Sequence, residues 1–421
     1  MAVRLQFEGI RCFSEPQDAV IRPITLLVGE NSSGKTTFLA LCRIAHATAN
    51  GAVSNPPFND DPFWLGAYDQ IASHLRGSVG RAKYFSLAIS VDDEEGSRSL
   101  RTEYVSRGGQ PSPHIWRLET GGLAIQVNNG DPQQSSVSLE SHLGKTNVPY
   151  PRGNNFHLLT LLRPDQWADS TVDESILSRS DLAELGDALE HIRREFLRIP
   201  YAFAPIRTSP KRTYDPVGAE PSPEGSHVPM LLAAFSRSAQ QQHWATLQAA
   251  LAEFGAKSGL FERIEIVNKG RTEGDPFQVG VKTGGRTFNL IDVGYGVSQS
   301  LPILVDTLHR VHNFQSFLLQ QPEVHLHPRA QAELGSFFAR QATEKRRFVI
   351  ETHSDHLVDR IRMEVRRKVL RPEDVSLLYF ERGKSGATIY NLELDANGSI
   401  TNPPPGFRRF FLKEERDLLG V

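Results

Sequence analysis

Eight consecutive residues, Gly29-Glu30-Asn31-Ser32-Ser33-Gly34-Lys35-Thr36, fit the pattern G-x-x-x-x-G-K-[ST], and Thr37 follows directly. Two glycines at this spacing let the backbone fold around an anion with its N–H groups turned inward, toward the positive end of the helix that follows. The ammonium of Lys35 then suits β- and γ-phosphates, and the Thr36 hydroxyl suits Mg²⁺. The plain alternative is a glycine turn with an exposed lysine. The flanks argue for phosphate: the apolar run Ile24-Thr25-Leu26-Leu27-Val28 reads as a buried strand, and from Lys35 to Ala49 the composition is helical, with Phe38, Leu39, Leu41 and Ile44 apolar. The chemistry predicted here is the binding of ATP with Mg²⁺.

Four further segments hold polar residues at the ends of apolar ones. In Asp292-Val293-Gly294-Tyr295-Gly296-Val297-Ser298-Gln299 the glycines permit close backbone approach ahead of a helix. Ser316 to Leu319 forms an apolar strand that runs into Gln320-Gln321-Pro322-Glu323-Val324-His325-Leu326-His327-Pro328. Phe348 to Ile350 is another buried strand, and it ends in Glu351-Thr352-His353-Ser354-Asp355. Upstream lies Phe63-Trp64-Leu65-Gly66-Ala67-Tyr68-Asp69-Gln70. Two have a plainer reading: a glycine helix start for the first, and for His353 a histidine that only hydrogen-bonds. His325 and His327 alternate as zinc ligands do, but no third ligand lies nearby, which argues against a metal site.

In this order the segments resemble the ATPase heads of RecF, SMC and OLD-type proteins, and among them the ATPases of bacterial anti-phage systems such as the Septu, retron-associated and PARIS types. The resemblance implies a signature loop made of Gly294, Tyr295, Gly296, Ser298 and Gln299 that caps the γ-phosphate held by a partner subunit; Gly294 and Ser298 both remain candidates for its serine position. It implies catalytic positions at Gln320, Gln321, Glu323 and His353, with His353 on the γ-phosphate, and Mg²⁺ held by Thr36, Gln320 and, through a Q-loop, Gln70. Related ATPases carry carboxylates where Gln320 and Gln321 stand. An amide takes no proton from water and is a poorer Mg²⁺ partner, so hydrolysis is the open point. Either the pair is native, with Glu323 or a histidine compensating, or one glutamine is an engineered Glu→Gln change.

The elements that must position these residues read as an α/β chain. The fold expected is a P-loop, ABC/SMC-type ATPase head with an inserted β-rich and helical lobe. Residues 1–80 and 261–421 form the two parts of the ATPase domain, and residues 81–260 the lobe. About 260 residues separate the phosphate loop from Gly294, which is too many for a compact two-layer domain and argues against a transporter subunit. Within the lobe, alternating segments from Tyr84 to Leu143, Leu118 to Val127 among them, read as antiparallel strands, and the stretches from Ser170 to Arg198 and Met230 to Phe254 read as helical. No heptad repeat is sustained, so no long coiled coil is expected.

The 421 residues are 39% hydrophobic and 23% charged, which is ordinary for a globular protein, and a net charge of −2 provides no overall field toward nucleic acid or membrane. Two basic stretches, Ala204 to Tyr214 and Arg360 to Lys368, are candidate phosphate or DNA contacts, or else solvated surface. Two cysteines form no disulfide framework, and no apolar run is long enough to span a bilayer. The expectation is a cytoplasmic ATP- and Mg²⁺-binding homodimer, or higher even oligomer, that controls a separate effector such as a nuclease in anti-phage defence. The alternative is a RecF-like repair or chromosome-maintenance ATPase that binds DNA directly.

Overall fold

Burial alternates along β1 (Ala2–Glu8), so Val3, Leu5 and Phe7 enter the core while their neighbours stay half-buried, and β2 (Gln17–Ile21) pairs with it antiparallel. The computed structural model describes residues 2–50, 57–74, 80–129, 136–149, 178–196, 199–218, 220–237, 241–272, 274–309, 316–344, 346–383, 386–401 and 403–407. β3 (Ile24–Gly29) is buried at every position, as the unbroken apolar run requires of a strand covered on both faces. α1 (Lys35–Ala49) follows the glycine loop. The small ribbon of β4 (Asn59–Asp60) and β5 (Phe63–Trp64) then leads to the single turn α2 (Tyr68–Ile71).

Next comes a meander of six strands: β6 (Phe85–Asp93), β7 (Gly96–Arg107), β8 (Gln110–Thr120), β9 (Leu123–Asn128), β10 (Ser136–Ser141) and β11 (Gly144–Pro149). β6 pairs with the free edge of β1, giving one eight-stranded antiparallel sheet in the order β11-β10-β9-β8-β7-β6-β1-β2. The sheet therefore runs unbroken across residue 80, and the β-rich part of the expected lobe extends the N-terminal sheet because β1 had a second edge to offer. Leu118 to Val127 is not one strand. Gly121 and Gly122, at φ +52° and +87°, turn the chain between β8 and β9.

The helical part of the insert contains α3 (Arg179–Glu195), α4 (Val228–Arg237) and α5 (Gln241–Ser258), with β12 (Tyr201–Phe203) between the first two. The start of the first predicted helix, residues 170–177, and its end at 197–198 lie outside the described residues. β13 (Arg263–Asn268), β14 (Phe277–Thr283) and β15 (Arg286–Asn289) form a small antiparallel sheet. The rest alternates: α6 (Tyr295–His309), β16 (Ser316–Gln320), α7 (Pro328–Gln341), β17 (Arg347–Glu351), α8 (Asp355–Arg366), β18 (Val375–Gly383), β19 (Gly386–Leu394) and β20 (Ile400–Thr401).

The central sheet has the order β12-β16-β17-β3-β18-β19-β20, and its first five strands are parallel. Leu27, Leu318 and Val349 face one core, shared with Phe38 and Leu39 of α1, Leu185 and Leu189 of α3, and the inner face of the antiparallel sheet. Leu26, Phe317, Leu319, Phe348 and Ile350 face a second core, built with Phe254 of α5, Leu301 of α6, Phe338 of α7 and Ile361 of α8. Within it Phe203, Phe317 and Phe348 stack in succession at 6.2 and 5.3 Å. Cutting Phe348 back to alanine should cost about 3–5 kcal/mol. The longest described helix, α5, has 18 residues, and no coiled coil is present among the described residues.

Candidate nucleotide-binding site

Because β16, β17 and β3 are parallel neighbours, their C-terminal ends lie side by side, with Gln320 opposite Glu351 and Glu351 opposite Leu27. The loops leaving them are the phosphate loop, the Gln321–His327 turn and the Thr352–Ser354 turn. Segments separated by up to about 320 residues thus meet where ligands bind in open parallel sheets.

The phosphate loop is shaped for an anion. Gly34 caps α1 at φ +99°, and a Cβ there would lie 2.3 Å from the Phe13 ring. Glu30, Asn31 and Ser32 are exposed at the tip, whereas Ser33 is buried and donates to the carbonyl oxygen of Glu30 at 2.8 Å. The Lys35 ammonium is held on the carbonyl oxygens of Gly29 (3.0 Å) and Glu30 (2.6 Å), and burial lowers its pKa against the fields of Glu351 and Glu30. Thr37 accepts from Arg11 at 3.3 Å, and Arg11 also donates to the Leu65 carbonyl, which ties the segment after β5 to the start of α1.

The Thr36 hydroxyl donates to Glu351 Oε2 at 2.8 Å. Glu351 is 6% exposed, and burial raises its pKa while Thr36 and Lys35 pull it down. Sequence reasoning looked for a carboxylate at Gln320. The structure supplies one from the adjacent strand, where the register puts Glu351 level with Gln320 on one side and Leu27 on the other. Gln320 is 8% exposed at the end of β16; Gln321 turns the chain at φ +42°, its N–H on the Glu351 carbonyl at 2.8 Å. A hydroxyl and a carboxylate in contact beside a lysine are hard oxygen donors of the kind Mg²⁺ uses when phosphates and water complete its shell. Thr36 and Glu351 fit that ion. Gln70 does not join them: it is exposed, and its side-chain oxygen accepts the Ala67 N–H at 2.9 Å, capping its own short helix.

Glu323 Oε1 accepts the backbone N–H of His353 at 2.8 Å, which binds the turn after β16 to the turn after β17. Burial raises the Glu323 pKa, and hydrogen bonds from His353 N–H and Thr352 together with the field of Arg207 oppose it. The His353 side chain is exposed, and partial burial and the field of Lys35 lower its pKa, so at neutral pH it is an uncharged imidazole facing solvent near the lysine.

The Gly-Tyr-Gly segment sits at the start of α6. Gly294 and Tyr295 are exposed, while a Cβ on Gly296 would lie 2.9 Å from the His325 carbonyl oxygen, so only glycine lets these two loops touch. Ser298 and Gln299, expected to face a partner subunit, are instead buried. Ser298 Oγ donates to the Tyr295 carbonyl at 2.8 Å, and Gln299 is bonded to the backbone of Arg207, because both lie on the inner face of the helix. The stretch from Ala204 to Tyr214, for which the sequence allows either a phosphate or DNA contact or a solvated loop, packs on this segment: Arg212 makes a two-pronged ion pair with Asp292 at 2.6 and 2.9 Å, and Arg207 is buried. His325 meets Tyr295 edge-on at 4.9 Å and His327 caps α7 through Ala330 N–H; among the described residues no cluster of His, Cys, Asp or Glu suits a metal ion. Arg360, Arg362 and Arg367 on and after α8 are paired with Glu333, Asp359 and Glu364. No helix among the described residues is long and apolar enough to cross a membrane.

Residues 226–359 match the family profile described as "AAA domain, putative AbiEii toxin, Type IV TA system". No curated protein matches the chain. Among solved structures, an SMC head bound to the C-terminal winged-helix domain of ScpA is 11% identical, with 93% of this chain and 97% of that one covered and a TM-score of 0.45. The SMC head domain from Thermotoga maritima is 13% identical, covering 93% and 99%, at a TM-score of 0.40. A Pyrococcus furiosus SMC head with an extended coiled coil, bound to the C-terminal domain of ScpA, is 10% identical, covering 99% and 98%, at 0.43. The matched segment runs from α4 through β16, α7 and β17 to the start of α8, and its strand β17 pairs with β3, which leads into the phosphate loop, so this part of the chain is similar to an AAA domain.

Proposed function

We propose that the chain binds ATP with Mg²⁺ at the Lys35 loop and hydrolyses it, closing as a head-to-tail dimer in which Gly294 and Tyr295 of one copy cap the nucleotide held by the other. The observation that carries this reading is the meeting of Lys35, Thr36, Glu351, Glu323 and His353 at the ends of three neighbouring strands. Bound Mg²⁺, held by Thr36 and Glu351, supplies charge neutralisation at the phosphates. Glu323 takes the proton of the attacking water as the water oxygen bonds to the γ-phosphorus and the bond to the bridging oxygen breaks, ADP leaving with that electron pair. His353 holds the γ-phosphate side of the water. Gln320 and Gln321 serve as neutral hydrogen-bonding residues, so turnover is slow and the ATP-bound dimer long-lived.

A long-lived closed state suits a switch. We place it in the cytoplasm, controlling a separate effector such as a nuclease in anti-phage defence, in keeping with the toxin–antitoxin description of the matching profile. Against a DNA contact at the 360–368 run stands the pairing of Arg360, Arg362 and Arg367 with Glu333, Asp359 and Glu364. Calorimetry with ATP and Mg²⁺ tests the reading: wild type should bind, and Lys35→Ala should bind at least about 100-fold more weakly. Equal affinity in the two would remove the loop from the account.

A further inference from the structure

A recess of about 540 Å³ lies between the 208–218 segment, the start of α4 and the first turns of α6, and no residue of the phosphate loop lines it. Its size falls within the roughly 300–1,000 Å³ of small-molecule sites. Both walls are fixed by the fold. On one side Gly225, at φ +77°, sits so close to α6 that a Cβ would lie 2.4 Å from Pro302. Two residues on, His227 accepts the Ser222 N–H on Nδ1 at 3.1 Å and donates from Nε2 to Asp306 of α6 at 3.0 Å. On the other side the Lys211 N–H donates to the Tyr214 hydroxyl at 2.8 Å, the Tyr214 ring stacks on Phe277 at 5.7 Å, and Asn289 donates to the Arg212 carbonyl at 2.8 Å.

The lining carries two opposite charges, Lys211 and Asp215, and among the described residues neither side chain makes a hydrogen bond or ion pair, with the other or with anything else. A further acceptor comes from α6. Pro302 has no N–H to give the Ser298 carbonyl four residues earlier, and both residues line the recess. Met230, Leu301 and Pro302 make the lining apolar between these groups. An inorganic anion would answer only the lysine, and a purely apolar occupant would strip water from both charges without replacing it. A molecule that answers all of them carries a carboxylate, an ammonium and an apolar body. We propose that the recess binds a free α-amino acid with a large apolar side chain, its carboxylate on Lys211, its ammonium on Asp215 and the Ser298 carbonyl, and its side chain against Met230, Leu301 and Pro302. The occupant sits directly behind the Gly-Tyr-Gly loop: of the lining residues, Ser209 meets the Tyr295 hydroxyl at 3.4 Å and Ser298 donates to the Tyr295 carbonyl at 2.8 Å.

Calorimetry on the full chain with leucine, phenylalanine and tryptophan, each at up to about 10 mM, tests the proposal. At least one should bind. Its methyl ester, which lacks the carboxylate, and its N-acetyl form, which lacks the ammonium, should each bind at least about tenfold more weakly. Lys211→Met and Asp215→Asn should weaken the unmodified amino acid by a similar factor, and Lys211→Met should no longer tell the amino acid from its ester. Both side chains are exposed, so the fold should survive, and the ester and N-acetyl probes need no variant. Lys35→Ala should leave amino-acid affinity within about twofold, which keeps this site apart from the fate of the phosphate-loop reading. Three outcomes would overturn the proposal: no binding of any of the three amino acids, an ester that binds as tightly as its parent, or full affinity in Lys211→Met. AMP bound by Lys35→Ala where no amino acid binds would likewise overturn it and give the recess to another class of ligand.

Discussion

At the residue scale the account turns on one oxygen-to-oxygen contact, from the Thr36 hydroxyl to Glu351. A carboxylate in this place orients the hydroxyl and adds a hard donor beside it, and such supporting groups typically matter by about 10–100-fold in metal affinity. Glu351→Gln should therefore raise the Mg²⁺ concentration needed for half-maximal ATP binding by at least about tenfold, measured by titrating Mg²⁺ against a fluorescent ATP analogue, while binding at saturating Mg²⁺ persists. An unchanged Mg²⁺ requirement would return the role to another residue. The phosphate-loop residues were legible because their chemistry is written in eight adjacent positions. Glu351 is not legible in the same way, since its value depends on sitting one strand away from both Thr36 and Gln320. Arg207 was hidden for the opposite reason. In sequence it belongs to a basic, proline-flanked stretch that reads as surface, and only packing against α6 buries it.

Among the elements, α1 and α8 set the loops on which the site depends. Ser354 caps α8, accepting the Leu357 N–H at 3.0 Å and donating to Gln331 Oε1 at 2.6 Å, one residue after His353. Ser354→Ala should cost about 1 kcal/mol in urea unfolding, and turnover should fall as the His353 turn loosens. A variant as stable as wild type would show the cap to be replaceable. On α1, burial and the neighbouring Arg43 hold the His46 pKa down at about 4, against 6.5 ordinarily. The folded helix thus keeps this ring neutral where the unfolded chain protonates it. Its stabilising contribution is complete above pH 6.5 and is lost as pH falls toward 4. His46→Leu should accordingly show a flatter decline of Tm between pH 6.5 and 4 than wild type, and parallel curves would contradict the assignment. Strand and helix positions were mostly readable from periodicity. The pairing of β6 with β1 was not, because alternation marks a buried face but does not say which edge a strand will find.

For the whole molecule, the order β12-β16-β17-β3-β18 sets β3, from the start of the chain, between β17 and β18 from its later part, and the proposed dimer uses the exposed Gly294 and Tyr295. Tyr295→Glu places a charge on that surface without touching the phosphate loop. It should leave ATP affinity within about threefold and abolish the ATP-driven dimer in light scattering; a dimer that persists would move the interface elsewhere. The central claim is that Mg²⁺-triphosphate is held by the Lys35 loop with Thr36 and Glu351 at the metal. A crystal structure with Mg²⁺ and a non-hydrolysable ATP analogue measures it most directly. The account predicts phosphates against the N–H groups of the 30–36 loop, Lys35 moved from the Gly29 and Glu30 carbonyls onto them, and the metal beside Thr36 and Glu351. An analogue bound at another surface, with Lys35 still on those carbonyls, would contradict it.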